Sequence, residues 1–559
     1  MILVCFTISI LLQFVQSQTS FNCPIKPGQI NTTLRLNNLR NLFTTNKNIN
    51  AYVVFSEDEH QSEYVQPYDE RRPYMTGFLG SAGTAIITRN EAALWTDSRY
   101  FIQAEDELDC ANWQLMKQGQ PGVPLPRDWL KTVLDENTLV GVASQFASST
   151  WWSTTSTTLK EKNITLIEVN ELVDQVWTTN RPPKLTNDVT IHALQYAGEE
   201  WFNKVQKIAE MVDQANAHMY VVTALDEIAW LLNLRGSDIP YNPFFKAYAV
   251  VFANKTTALF MNETQLTSEA KQQINNNNAI YTYDTFLLTY LKSVADNPAT
   301  KTVWISPIAS QAIFSRIPQD KLYVKSSPVE STKAVKNSVE EQGFRDCSIR
   351  DSVARIRHLA WLDEEIGNNA IINETESASK LEDYQKEEDL FQMLSFDTIS
   401  AFGANGAIVH YSPKKETAAR ITTEGLYLLD AGAQYLDCTT DITRTHTFGT
   451  PTDEQKLAYT LVLQGSTDLA DAVFPTGTYG RNIDILARRS LYKNFMDYGH
   501  GTGHGIGHFL SVHEGPAGIS MGYSARDVPL TDGMVFSDEP GFYLPEKFGI
   551  RLETDVIVK

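Results

Sequence analysis

Four of the ten histidines, His500, His504, His508 and His513, fall within Tyr498–Gly515, YGHGTGHGIGHFLSVHEG. A spacing of four would set the first three on one helical face. Gly499, Gly501, Gly503, Gly505 and Gly507 lie between them, however, and each glycine disfavours helix by roughly 1 kcal/mol relative to alanine. The segment therefore reads as extended, with glycines that let the backbone approach a ligand or metal closely. It holds no HExxH and no Lys-Ser or Lys-Thr after the glycines, which excludes a zincin helix and a phosphate-binding P-loop.

Acids accompany the histidines. Asp430 and Asp441 close two β-like runs in LYLLDAGAQYLDCTTDITRTHTFG (Leu426–Gly449), and SDEPGFY (Ser537–Tyr543) and GIRLETD (Gly549–Asp555) add Glu539 and Glu553. The set Asp430, Asp441, His504, Glu539 and Glu553 is dominated by oxygen, which suits Mn²⁺ or a similar divalent ion, with Zn²⁺ or Co²⁺ as alternatives. Five protein ligands exceed what one catalytic ion needs if it keeps a water position, so two ions bridged by carboxylates is the better count. Singly these residues are unremarkable, since aspartates beside Gly432 and Thr440 also cap turns. Only the ordered set carries the inference.

The phrases GAIVHYSP (Gly406–Pro413), LLDAGAQYLDCTTDITRT (Leu428–Thr445), HGTGHGIGHFLSVHEGP (His500–Pro516), DEPGFY (Asp538–Tyr543) and FGIRLE (Phe548–Glu553) resemble the metal site of the creatinase/aminopeptidase ("pita-bread") metallopeptidases, and among them the Xaa-Pro aminopeptidases. TGFLGSAGTAIIT (Thr76–Thr88) and LWTDSRYFIQA (Leu94–Ala104) resemble the three-domain eukaryotic members, so the likeness covers nearly all of the chain after its leader. It implies two related creatinase-type α/β domains followed by a pita-bread α+β catalytic domain. The implied substrates are peptides beginning Xaa-Pro, and the implied chemistry is attack by a hydroxide held between two metals.

The resemblance also implies roles. His504 is the one histidine assigned to metal; His410, His500 and His513 line the pocket. Glu539 takes or shuttles the proton of the attacking water, and His513 steadies the tetrahedral intermediate or protonates the leaving nitrogen. Arg99 would reach the peptide from its own chain or from a partner subunit in a homodimer, although its plainer role is a pair with Asp97. Asp437 is passed over as a ligand, and His446 and His508 read as structural. A prolidase-like dipeptidase, a creatinase-type hydrolase and an inactive peptide-binding protein are the competing readings.

The bulk properties fit. With 559 residues and 42% hydrophobic composition the chain can bury several cores, about three or four domains by length. A net charge of -20 argues against a nucleic-acid partner. The run MILVCFTISILLQFVQSQTS reads as a signal peptide over residues 1–20 and hence as secretion. Sequons at Asn31, Asn163, Asn254, Asn262 and Asn373 agree with a glycoprotein. A lipid-anchor signal, which would give a form held at the membrane surface, would lie beyond Lys559. Cys23, Cys110, Cys347 and Cys438 remain after the leader, free to pair in three ways; Cys438 stands where the family carries glycine and reads as a turn variant near the site.

Laying Ala51–Trp95 on Met219–Phe260 shows an internal repeat, AYVVF against MYVVT and AIITRNEAALW against AVVFANKTTALF. Two similar α/β domains follow, over 21–180 and 188–330, joined by the proline-containing linker Thr178–Asn187, with the catalytic domain over 331–559. In the latter, Ile349, Val353, Ile356, Leu359 and Leu362 predict a helix over Ser348–Ile366 with these residues as its apolar face. A second helix is predicted over Asp453–Val473 between Pro451-Thr452 and Pro475.

Overall fold

The computed structural model describes Lys26 and residues 29–274 and 278–559. The predicted signal peptide, with Cys5, lies outside these residues, as does Cys23.

The repeat is a repeat of topology. In the first domain, Gln114–Lys117, Ala92–Thr96, Thr84–Thr88, Ala51–Val54, Leu139–Val142 and Thr165–Glu168 form one six-stranded sheet in that spatial order. In the second, Asn278–Tyr281, Thr257–Met261, Ala247–Phe252, Met219–Val222, Val303–Ile305 and Leu322–Val324 follow the same order. Each sheet has an antiparallel centre and parallel flanks. Alternate residues of the matching strands feed cores on opposite faces: Tyr52 and Val54 enter one and Ala51 and Val53 the other, as do Tyr220 and Val222 against Met219 and Val221. Burial on both faces explains why AYVV and MYVV are unbroken apolar runs.

The catalytic domain carries its site on short antiparallel strands. Asp430 is the penultimate residue of the strand Leu426–Ala431, which pairs with Ile399–Phe402 on one side and Ile442–Thr447 on the other. Gly503–Gly505 lies between Glu514–Ile519 and Val535–Asp538, and Thr554–Ile557 completes that sheet. The histidine-rich segment is thus extended, and Gly503 shows why glycine is needed there: a β-carbon would collide with the Ser537 carbonyl of the next strand.

The long helix Ser338–Gly367 forms, opened by a capping box of Asn337 and Glu340; of the predicted apolar stripe Leu362 is buried and Leu359 packs beside it, but the first three residues face outward. Ile349 and Ile356 are each 66% exposed and Val353 is exposed too, whereas Cys347, Asp351, Arg355 and His358 are buried. The inward face is polar because it holds the site strands. Arg355 pairs with Asp351 at 2.7 Å and donates to the carbonyls of Ile442 and Ala431, gripping the strands that follow Asp441 and carry Asp430. A disulfide joins Cys347 of this helix to Cys438. The second predicted helix spans Asp453–Ala470 with a Thr452–Gln455 capping box.

Candidate active site

A cleft of about 730 Å³ gathers Asp430, Asp441, His504, Glu539 and Glu553 with His410, His500, His513 and Arg99. The five ligand candidates come from four separated segments. Antiparallel pairing of Ala431 with Ile442 brings Asp430 and Asp441 together across their turn; Glu539 directly follows the strand Val535–Asp538, and Glu553 directly precedes the strand Thr554–Ile557. Ligand atoms of Asp430, Asp441 and Glu553 lie within 4.8 Å of one another, as do those of His504, Glu539 and Glu553 and those of Asp441, His504 and His513. His446, His508 and Asp437 do not line this cleft. Asp437 pairs with Arg350, and His508 packs between Phe344 and His192.

Burial, and then repulsion among the neighbouring carboxylates, raises Glu553 well above the usual carboxylate range and moves Glu539 upward too. Burial also raises Asp430, against the opposing pull of Arg551, and its Oδ1 is buried without a hydrogen-bond partner. His504 Nε2 lies 3.4 Å from Asp441 Oδ2 and 3.5 Å from Glu539 Oε1. Burial alone would lower this imidazole, but the hydrogen bond to Asp441 and the charge of Glu539 raise it to about 9. Four carboxylates, three of them buried, with an orphaned oxygen and a histidine whose protonated form they favour make a donor set short of positive charge, and two divalent cations fit that deficit.

The chain's own nearby cation was not singled out from the sequence. Arg551, 2% exposed, donates to Asp430 Oδ2 at 2.6 Å, to Tyr543 Oη at 2.7 Å and to Thr443 Oγ1 at 3.0 Å. It stands two residues before Glu553 in the phrase FGIRLE, which was the available signal. Thr443 in turn donates to Glu553 Oε2 at 2.6 Å.

His410 and His513 are each held through Nδ1, and His500 through both ring nitrogens. His410 Nδ1 is 2.7 Å from the Tyr100 hydroxyl, and burial, then Arg99, push its pKa well down. His500 sits between the Gly501 carbonyl at 2.7 Å and the Tyr543 hydroxyl at 2.8 Å, lowered to about 3 by burial and then Arg551. His513 Nδ1 lies 2.8 Å from Glu63 Oε2 of the first domain. Burial would raise Glu63, but His513 above all, helped by Arg99 and His504, holds it at about 2. Glu63, Tyr64 and Tyr100 were missed: Glu63 lies in an acid-rich loop with no pattern to mark it.

Arg99 lines the cleft from this same chain, so no partner subunit is needed to bring it there. It also makes the plainer pair, with Nε 2.8 Å from Asp97 Oδ1 and Nη2 2.8 Å from Asp97 Oδ2. Ser98 donates to the Gly499 carbonyl at 2.5 Å, fastening the first domain to the histidine-rich segment.

Family models match in three consecutive stretches: residues 35–176 and 180–340 each match a creatinase/prolidase N-terminal domain, and residues 342–559 match metallopeptidase family M24. The chain is 45% identical over 535 residues to a probable Xaa-Pro aminopeptidase P of Laccaria bicolor, covering 95% of this chain and 82% of that one. It is 43% identical over 539 residues to the probable Xaa-Pro aminopeptidase P of Aspergillus flavus, with the same coverage, 95% and 82%. Among solved structures, the X-prolyl aminopeptidase of Caenorhabditis elegans, described as a cytosolic enzyme with a di-nuclear active site, superposes with a TM-score of 0.90 at 36% identity, over 94% of this chain and 87% of that one.

Proposed function

The chain belongs to metallopeptidase family M24, with two creatinase/prolidase-type domains ahead of the catalytic one, and from that premise we propose that its cleft removes one amino-terminal residue from peptides with proline in second position. The observation that carries this reading is the convergence of Asp430, Asp441, His504, Glu539 and Glu553 at a cleft completed by Glu63, Arg99 and Tyr100 of the first domain. In this reading those five residues hold two divalent ions, with Mn²⁺ preferred by the oxygen-rich donors. What the ions supply when bound is a nucleophile drawn from water at neutral pH and polarisation of the scissile carbonyl.

The remaining steps belong to side chains. Glu539, 3.2 Å from the Ser537 hydroxyl, receives the proton of the attacking water. Glu63 accepts the Nδ1 hydrogen of His513, and when the ring also carries a proton on Nε2 that N–H faces the developing oxyanion or passes its proton to the leaving nitrogen. His410 and His500, kept neutral by burial, act as hydrogen-bonding walls, His410 oriented by Tyr100 and His500 by Tyr543. Arg99, fixed by Asp97, contacts the peptide beyond the scissile bond. Proline has no N–H and a fixed φ, so it gives up a recognition hydrogen bond that ordinary second residues offer and presents its carbonyl in one direction.

The test is a trio of peptides. Arg-Pro-Pro-Gly should release arginine, Arg-Ala-Pro-Gly should be cut far more slowly, and N-acetylated Arg-Pro-Pro-Gly should survive because acetylation removes the charge and lone pair of the amine. Equal cutting of the acetylated and free peptides would overturn terminal-amine anchoring. Preference for the dipeptide Arg-Pro over longer chains would point to a prolidase-like enzyme instead.

The proposal extends to location and assembly. The Cys347–Cys438 disulfide and the disulfide-bonded Cys110 support secretion through an oxidising compartment. Asn31, Asn163, Asn254 and Asn262 are exposed, which supports a glycoprotein, whereas Asn373 is half-buried and caps a helix. Exposed Tyr492, Phe495, Met521 and Tyr523, with Tyr492 Oη 3.3 Å from Met521 Sδ, support a homodimer through this face. Loss of mass on deglycosylation, and the mass by light scattering, test these two points.

A further inference from the structure

The second domain lines no part of the cleft, whose residues come from the first domain and the catalytic domain. It reaches the site by another route. Beyond the strand Ala51–Val54 the first domain makes a tight turn over residues 58–61, closed by the Gln61 amide on the Asp58 carbonyl at 3.0 Å, with Gln61 at φ 62°. Asp58, fully buried, caps this turn with its own side chain, as aspartates do: Oδ1 accepts the amides of His60 at 3.0 Å and Ser62 at 3.1 Å. The next residue is Glu63, the partner of His513. Among the described residues the main chain of Glu63, Tyr64 and Val65 makes no hydrogen bond. The capped turn is therefore the last backbone tie before the Glu63 carboxylate crosses to His513.

The turn in its turn depends on the second domain. Carboxylate oxygens of Asp58, Glu59 and Asp69 gather closely enough to share a cation, and the cation among them is Lys246, which pairs with Asp58 Oδ2 and lies 3.3 Å from both Glu59 Oε1 and Asp69 Oδ2. Two more groups of the second domain hold the following residues. His60 Nδ1 is 2.8 Å from the Thr223 carbonyl and Nε2 is 2.6 Å from the Tyr283 hydroxyl, which donates to Glu59 Oε1 at 2.7 Å. A buried carboxylate stripped of its cation is strongly destabilised, so the Asp58 cap needs Lys246.

We infer that Lys246 is a positioning residue for the peptide cleavage proposed above: it holds Asp58, Asp58 holds the turn, and the turn sets Glu63 against His513. The inference rests on that reaction, which gives His513 its work. It makes the second domain part of the machinery without placing any of its atoms in the cleft. A misplacement of about 1 Å at reacting groups costs on the order of 100-fold, so a loosened turn is felt in turnover.

The experiment is a double-mutant cycle on release of arginine from Arg-Pro-Pro-Gly, with rates counted per metal-loaded enzyme and well below the Tm of each variant. Lys246→Met should lower kcat about tenfold and leave KM within about twofold, a loss inside the range of a mispositioned group. Lys246→Arg keeps a charge among the same acids and should bring kcat back to within about threefold of the wild type. In a Glu63→Gln background, where His513 has already lost its charged partner, Lys246→Met should lower kcat by less than about twofold more. Asp58→Ala leaves Lys246 paired with Glu59 and Asp69, so it decides the matter even if Lys246→Met does not fold; it should lower kcat in the wild type and add little to Glu63→Gln. Loss by the same factor in both backgrounds would make Lys246 and Asp58 general supports of the fold and overturn the inference. So would turnover unchanged by Asp58→Ala or by Glu63→Gln. Failure of the wild type to release arginine would instead sink the aminopeptidase reading.

Discussion

Glu63 Oε2 of the first domain lies 2.8 Å from Nδ1 of His513 in the catalytic domain, 450 positions later in the chain. A domain that supplies none of the five ligand candidates thereby orients a histidine at the reaction site. Its carboxyl is held at about 2, so it stays ionised at every working pH. Replacing Glu63 by Gln keeps the shape and a hydrogen-bond acceptor and removes the charge. The expected outcome is a fall in kcat of about 10–100-fold, as for other residues that orient an active-site histidine, with bound metal and unfolding midpoint unchanged. Unaltered turnover would reduce Glu63 to a packing contact.

The five ligand candidates and the pocket histidines should separate in two measurements. His504→Ala and Asp441→Asn should lower the metal content found by elemental analysis and abolish activity. His513→Ala should keep the metal and lose roughly 100-fold in kcat, the usual cost of one proton-transfer or oxyanion group. If His513→Ala lost metal as fully as His504→Ala, His513 would have to be counted among the ligands; its ring centroid is only 4.4 Å from that of His504.

The contrast between residues read and residues missed has a physical basis. Asp430, Asp441 and the matching strands of the two first domains were legible because alternation, turns and ordered phrases are local properties of the chain. Ile349, Val353 and Ile356 misled because helical periodicity reports that a stripe exists, not that it faces inward. The inward stripe of that helix is spent on Arg355, Asp351 and Cys347, which hold the strands of the site. Arg551 and Tyr100 stood inside quoted phrases, yet only three-dimensional pairing gives them partners. Glu63 has no local mark, since its meaning comes from an interface between domains.

Cys438, read as a turn variant, is bonded to Cys347 across a separation of 91 residues. By loop-closure entropy a bridge over a loop of that size contributes about 4–5 kcal/mol, and removing native disulfides costs about 2–5 kcal/mol in practice. The double variant Cys347→Ala, Cys438→Ala should therefore unfold at distinctly lower urea. Because the bridge ends three residues before Asp441, metal affinity should weaken in the same protein. Urea midpoints measured with and without Mn²⁺ would reveal both effects, and an unchanged midpoint would show that the helix contacts suffice alone.

Arg551 offers the sharpest test of the charge balance at the site. Asp430, Asp441, Glu539 and Glu553 bring four carboxylates into one place, and in the metal-free protein the compensating charges beside them are Arg551 and the proton on His504. Removing one partner of a buried ion pair costs about 3–5 kcal/mol, because the other charge stays buried. Metal-free Arg551→Met should thus melt well below the metal-free wild type. Added Mn²⁺ neutralises the same carboxylates, so the rise in Tm on adding it should be larger in the variant than in the wild type. Arg551→Lys can return one charge to Asp430 but cannot reach Tyr543 and Thr443 as the guanidinium fork does, so it should recover stability more fully than kcat. An equal Tm rise in wild type and Arg551→Met would mean that the guanidinium does not share the carboxylates with the metal ions, and the charge balance drawn for this site would be wrong.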